Sequence, residues 1–203
     1  METFWRLSYE GASIADLTAA MGITPQSLYA AFGSKETLYR AALEHYRTHI
    51  GESTTRALNE APTAIACFEQ IFRDSARVFS KTGRPRGCMI STAMLTCATE
   101  HDSVADHLVG LRGATLAAFV ARIDRAIAEG ELRPGTHSLA LARFLGAVIQ
   151  GMSVQAIDGA KERDLFMIAD IAIAEVARHQ VSSSSPKTRN QTNLQHVVRR
   201  RLM

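Results

Sequence analysis

The sequence predicts an all-α protein: an N-terminal helix-turn-helix domain followed by a larger helical domain. Three observations predict it. Ala and Leu are abundant, with hydrophobic residues at 46% and aromatic residues at only 6% of the 203, a balance that favours helix over sheet. Apolar residues recur at helical spacing between capping and breaking residues. No strand-like alternation competes with them.

Roughly nine helices are expected. A short one from Glu2 to Tyr9 ends at Gly11, with Phe4 and Leu7 as its core residues. Ser13 caps a helix from Ile14 to Met21, Gly22 closes it, and Thr24 with Pro25 opens another that runs to Phe32. Gly33 stops that helix and Ser34 caps a longer one, Lys35 to about Leu58. Pro62 starts a helix to about Lys81, and the loop TGRPRG separates it from MISTAMLTCA, read as helical up to a break at His101 and Asp102. Ser103–Glu129, Ser138–Ile157 and Lys161–His179 complete the set, with GELRPGT as a turn.

The net charge of +3 conceals an asymmetry. Up to Gln180 there are 18 Lys/Arg against 20 Asp/Glu, whereas Val181 to Met203 carries five positive charges and no negative one. That tail, rich in Ser, Asn, Gln and Arg, is expected to be disordered. Residues 1–50 hold four basic and five acidic groups, so a nucleic-acid reading rests on a local motif and not on bulk charge. No uninterrupted apolar run reaches the roughly 18 residues of a membrane span, and METFWRLSYEG lacks the order of a signal peptide; a cytoplasmic protein with no membrane partner is expected. Cys67, Cys88 and Cys97 have no CxxC spacing, and buried reduced thiols are the expectation.

The stretch GITPQSLYAAFGSKETLY carries the chemistry. Three residues separate two short helices, the spacing of a helix-turn-helix, with Ile14, Leu17, Met21, Ile23, Leu28 and Phe32 as its core. Leu28 and Phe32 facing inward leave Gln26, Tyr29 and Ala30 on the opposite face and Ser27 on its flank. Gln pairs bidentately with adenine and an Ala methyl meets a thymine methyl, while Thr24 and Ser27 donate to phosphate. Lys35, in the first turn after Ser34, adds a cation beside free backbone N–H groups.

Beyond this chemistry, SIADLTAAMGITPQSLYAAFGSKETLYRAAL resembles the DNA-binding domain of the TetR family of bacterial transcription regulators. Ser13, Ile14, Leu17, Ala19 or Ala20, Gly22, Ile23 and Thr24 meet one part of the family pattern; Leu28, Tyr29, Phe32, Lys35, Glu36 and Leu38 meet the other. The resemblance implies DNA contacts from Thr24, Gln26, Tyr29 and Lys35, the last two chiefly through phosphate. The full DNA-facing set is Ser13, Thr24, Pro25, Gln26, Ser27, Tyr29, Ala30 and Lys35. Ala31 departs from the family, which often carries His or Tyr there. The family usually begins with a basic arm and a full first helix, so Met1 is expected to be an internal methionine of a longer protein. From PRGCMI onward the chain resembles one regulatory-domain subgroup.

Division into a DNA-binding domain (1–50), an effector-binding and dimerisation domain (51–180) and a basic tail (181–203) follows. Ser138–Ile157 holds one charge, Arg143, and a helix so apolar is buried on two sides. With the Leu165 helix it is expected to form a two-fold seam through Phe144, Val148, Gly151, Ile168, Ile171 and Ala172. Phe68, Phe72, Met89, Met94, Phe119, Phe144 and Met152 are candidates to line an apolar effector pocket. Arg84 and Arg86 precede Cys88, which raises a redox-sensing reading beside that of an inert thiol. His45 with His49, and Cys97 with His101 and Asp102, permit a metal, but neither closes a ligand set; no metal or cofactor is expected. No catalytic motif is present.

The expected function is a homodimeric regulator, a repressor released from a palindromic operator by a small-molecule effector. A ligand- or partner-binding protein with an impaired DNA-binding head, and a helical enzyme, stay open as alternatives.

Overall fold

The computed structural model describes residues 1–181; the tail from Ser182 onward, expected to be disordered, lies outside the described residues. Within them the chain forms nine α-helices: α1 (Glu2–Gly11), α2 (Ile14–Met21), α3 (Pro25–Phe32), α4 (Lys35–His49), α5 (Glu52–Glu60), α6 (Ala64–Ser80), α7 (Asp102–Ala128), α8 (Ser138–Ile157) and α9 (Glu162–Arg178). A 3₁₀ turn, Thr99–His101, leads into α7. One isolated antiparallel bridge, Leu132 to Gln180, is the only β-type pairing among the described residues.

The number of helices agrees with expectation, but their division differs in two places. The helix expected to run from Lys35 to Leu58 breaks at Ile50 and Gly51 into α4 and α5. MISTAMLTCA is not helical: Arg112 Nη1 donates to the carbonyls of Ile90 and Ala93 at 3.2 and 3.1 Å, and Met94 takes a left-handed φ of 50°. A side chain from α7 thus supplies the partners that helix formation would otherwise have supplied.

Two cores result. In the body, α6 packs chiefly on α9, α5 and α8, burying Phe68, Ile71, Phe72, Phe119, Ile123, Leu145, Met152 and Leu165. In the head, Phe4, Trp5, Tyr9, Leu17, Leu28, Tyr39 and Leu43 close together, and Met89, Met94, Val104 and Leu108 complete this second core. Leu7 and Met21, both expected inside, are 39% and 42% exposed. Trp5 and Tyr9 take up the role given to Leu7, because α1 is interrupted at Ser8 (φ 61°) and so does not continue one helical stripe. Met21 ends α2 at the Gly22 turn, where no element covers it.

The α7 segment counted from Thr99 and the α8 helix are each long and apolar enough to cross a membrane by length and composition alone. Both nonetheless carry faces packed into these cores, through Leu108, Phe119 and Ile123 on one and Leu141, Leu145 and Met152 on the other. Of their remaining apolar residues, Val109, Phe144, Val154 and Ile157 are exposed in the single chain, while Leu116, Val120, Val148 and Ile149 are half-buried.

Candidate nucleic-acid interface

Every end in the helix-turn-helix has its own local cause. Ser13 and Asp16 form a reciprocal capping box at α2, with Ser13 N donating to Asp16 Oδ2 at 2.9 Å and Asp16 N to Ser13 Oγ at 3.0 Å. These bonds hold the Asp16 carboxyl below its usual range. Gly22 takes a φ of 67° that residues with a Cβ rarely adopt, and the chain reverses there. Thr24 Oγ1 then accepts from Ser27 N at 3.1 Å to cap α3, and Pro25 occupies the first turn. Ser34 Oγ does the same for α4 through Thr37 N at 3.0 Å.

Leu28 is fully buried while Pro25, Gln26, Ser27, Tyr29 and Ala30 are exposed. The polar face of α3 is therefore presented to solvent as a unit. Beside it, Thr24, Pro25, Ser27, Gly22 and residues of α2 line a shallow open groove of about 800 Å³. Ser13 is exposed at the start of α2. Ala31 is exposed and has no polar atom to offer beyond its backbone.

Lys35 is placed differently from the free cation the spacing suggested. Its Nζ stands 4.6 Å over the Tyr9 ring, and partial burial there lowers its pKa, opposed by the charge of Glu10. Reaching a phosphate means exchanging this cation–π contact for an ion pair. Tyr9 itself lies against Tyr39 and His101, so α1 carries the resting position of Lys35. Nothing in the sequence pairs Tyr9 with Lys35; the contact exists only once α1 packs on α4.

A junction between head and body was also invisible in the sequence. Glu36 Oε1 accepts from Arg40 Nη2 at 2.8 Å and from Ser103 Oγ at 2.9 Å, while Arg40 Nη2 donates to the Ser103 carbonyl at 3.1 Å. These bonds hold Glu36 below the usual carboxylate range and tie α4 to the start of α7. On the other side of the head, Arg84 lies 5.5 Å from the Trp5 ring and donates to the Val78 carbonyl. Arg86 reaches the Ala156 and Ala160 carbonyls at the end of α8. Both arginines, whose charges had raised a redox-sensing reading of Cys88 beside that of an inert thiol, are engaged with backbone or ring.

The other sequence candidates are dispersed. Phe68, Phe72, Phe119 and Met152 lie in the body core, Met89 and Met94 in the head core, and Phe144 is 40% exposed. They are divided between two cores, because residues 88–98 pack under the head while the phenylalanines and Met152 stay in the body. In the expected seam, Phe144 and Ile171 are exposed and Val148, Gly151 and Ile168 half-buried, but Ala172 is fully buried in its own body core. The His45 and His49 rings stack 4.0 Å apart, and among the described residues no three His, Cys, Asp or Glu side chains gather as a metal site.

A capped helical pair with an exposed second helix, mounted on a helical body, defines the class: a helix-turn-helix transcription regulator. Comparison with known proteins agrees. Residues 1–42 match the family described as bacterial regulatory proteins, tetR family, and residues 64–158 match the tetracyclin repressor-like C-terminal domain. The HTH-type transcriptional repressor ComR of Escherichia coli is 31% identical over 173 residues, covering 83% of this chain and 81% of that protein. A solved structure of a cysteine variant of the TetR family regulator CifR, in complex with 26-bp operator DNA, is 40% identical with a TM-score of 0.82, covering 85% of this chain and 90% of that one. A regulator from Rhodococcus sp. RHA1 is 38% identical with a TM-score of 0.62, covering 89% of this chain and 96% of its own. The chain belongs to the TetR family of bacterial transcription regulators, a non-enzymatic family.

Proposed function

We propose that two copies of this chain form a cytoplasmic repressor that grips a near-palindromic operator with α3 of each subunit and lets go when a small molecule binds the body. The observation that carries this reading is the face of α3. Gln26, Tyr29 and Ala30 are exposed while Leu28 anchors the helix from behind, a polar, uncharged surface suited to base edges in a major groove. Gln26 reads a base, Ala30 meets a thymine methyl, and Thr24, Ser27, Tyr29 and Lys35 hold the phosphates, with Ser13 and Pro25 at the rim. The operator named with CifR and the repressor name of ComR support it.

The exposed apolar residues of α8 and α9 support the two-fold seam, and two-fold symmetry places the α3 helices on half-sites about 34 Å apart. Residues 1–50 would then serve as the reading head and residues 51–180 as the effector and dimer body. Release requires an effector that favours a dimer shape in which this spacing is lost, since only differential affinity shifts an equilibrium.

Gel shifts on the chain's own promoter test the reading. Lys35→Ala is expected to weaken binding to all sequences and to lower the salt slope by about one unit, the share of one phosphate. Gln26→Ala is expected to cost about 1–3 kcal/mol at one base pair and leave nonspecific binding intact. Equal losses on operator and random DNA would remove Gln26 from base reading.

A further inference from the structure

A recess far from α3 has no place in this scheme. It is an open cleft of about 430 Å³ where the end of α4, the start of α5 and the last turns of α6 meet. Four permanent cations line it, Arg56, Arg77, Lys81 and Arg84, against two carboxylates, Glu52 and Asp74. Asp74 is already paired with Arg77 at 3.0 Å. Among the described residues, Arg56, Lys81 and Arg84 have no carboxylate within 4.0 Å.

Two further features point the same way. Arg84 Nη2 donates to the Val78 carbonyl at 3.1 Å, yet its Nε is buried with no hydrogen-bond partner. That Nε is closed off from solvent, so Arg84 contributes its charge to the cleft rather than this N–H. The N-terminus of α5 opens on the same cleft at Glu52 and Ser53; its cap, Gly51, supplies no side-chain acceptor, and of the first-turn N–H groups that of Thr54 donates to the Gly51 carbonyl at 3.1 Å, leaving those of Glu52 and Ser53. Guanidinium groups and an uncapped helix start make one donor set, and that set suits an oxyanion.

We infer that this cleft binds a small free polyanion, carrying at least two phosphate or carboxylate groups, across the junction of head and body. Operator DNA is the wrong occupant on geometric grounds. α4 starts beside α3 and runs 15 residues to His49, about 22 Å at 1.5 Å per residue, so the cleft lies well away from the recognition face. Its walls join head to body: α4 packs on α1 and α3 of the head, α6 is central to the body, and Arg84 lies 5.5 Å from the Trp5 ring of α1. A ligand bridging Arg56 and Lys81 sets the distance between α5 and the end of α6, and by linkage alters the affinity for DNA wherever that distance differs between free and bound forms.

This inference rests on the regulator reading for its consequence but not for its binding step. Titration calorimetry of the full chain, without DNA, uses inorganic pyrophosphate and citrate as probes, with orthophosphate as the single-group reference. The comparison is the double variant Arg56→Gln, Lys81→Gln, two exposed positions whose change leaves both cores intact. Saturable binding of one probe and at least tenfold weaker binding to the double variant are expected; pyrophosphate or citrate alone then names the acid class. Equal binding to both proteins, or no saturable binding, overturns the site. A double variant that loses DNA affinity while neither probe binds the parent chain also overturns it, making the cleft a DNA-backbone contact. Probe binding that is lost in the double variant, in a chain that shifts no operator, upholds the site and rejects the regulator reading.

Discussion

Gly87 is seated against Ser153 so closely that a Cβ on Gly87 would lie 2.9 Å from both the carbonyl oxygen and the Oγ of Ser153, and as near to Ile157 Cγ1. Its φ of 74° is left-handed as well. Ser153 Oγ in turn accepts from Cys88 N at 2.8 Å. The loop after α6 is thereby locked to α8, the helix with the exposed apolar stripe, while the next residues run under the head.

Gly87→Ala therefore meets both strain and collision with backbone, which cannot rotate away. A loss of about 1–3 kcal/mol from the conformation alone is expected, and the contact with the Ser153 carbonyl adds to it. Differential scanning calorimetry should show a fall of several degrees in Tm. A fall of less than about one degree would mean that the loop moves aside freely.

The buried charge at Arg122 sets up a second test. Its side chain is 1% exposed, its three guanidinium nitrogens have no hydrogen-bond partner, and Glu131 Oε2 stands 3.9 Å away. Glu131 also accepts from Ala64 N at 2.7 Å and Ile65 N at 3.3 Å, capping α6. Cys67 lies in the same neighbourhood: burial pushes its thiol up to about 11, against the opposing pull of the Arg122 charge. Glu131→Gln leaves the guanidinium uncompensated and is expected to cost about 3–5 kcal/mol in urea denaturation. Arg122→Met leaves Glu131 still bonded to α6 and is expected to be neutral or stabilising. Similar losses from both variants would show a mutually dependent ion pair.

The legible part of the fold is the part whose causes are local. Ser13, Gly22, Thr24, Pro25, Gly33 and Ser34 each terminate or start a helix by chemistry within four residues of themselves, so α2 and α3, and the start of α4, fall where the spacing put them. The exposed face of α3 follows from Leu28 alone. Residues 88–98 were illegible because their conformation is decided by Arg112, about twenty positions later, and by a place in the head core for Met89 and Met94. Lys35 on Tyr9, Arg84 on Trp5 and the burial of Ala172 are likewise products of packing between elements. Periodicity says which face of a helix is apolar, not which neighbour that face meets.

His107 gives the junction of α4 and α7 a pH dependence. Its pKa is lowered from the ordinary 6.5 by burial first, then by the charges of Arg40 and Arg47, against the opposing pull of Glu36 and Glu44. With the folded value below the unfolded one, the unfolded chain takes up the proton first as pH falls. The contribution of His107 is thus fully present above about pH 6.5 and is lost as pH drops through its depressed folded value. NMR titration should place His107 below 6.5. Urea midpoints at pH 7.5 and 5.5 should differ less in His107→Gln than in the parent chain; an unchanged difference would exclude it as the source.

On α9, two adjacent residues should answer the same substitution in opposite ways. Ile171 is 71% exposed, as are Met167 at 64% and, on α8, Phe144 and Val154 at 40% and 45%, whereas Ala172 is fully buried in the body core. Burying one Ile side chain is worth about 1.5–3 kcal/mol, and the proposed two-fold seam would count it twice. Ile171→Asp removes that gain and asks the seam to desolvate two carboxylates, so the dimer should weaken by at least about a hundredfold. Sedimentation should find a folded monomer with unchanged helicity, and operator affinity should fall because one half-site then acts alone. Ala172→Asp should instead unfold the body. A dimer of Ile171→Asp that persists at low micromolar concentration would place the interface elsewhere.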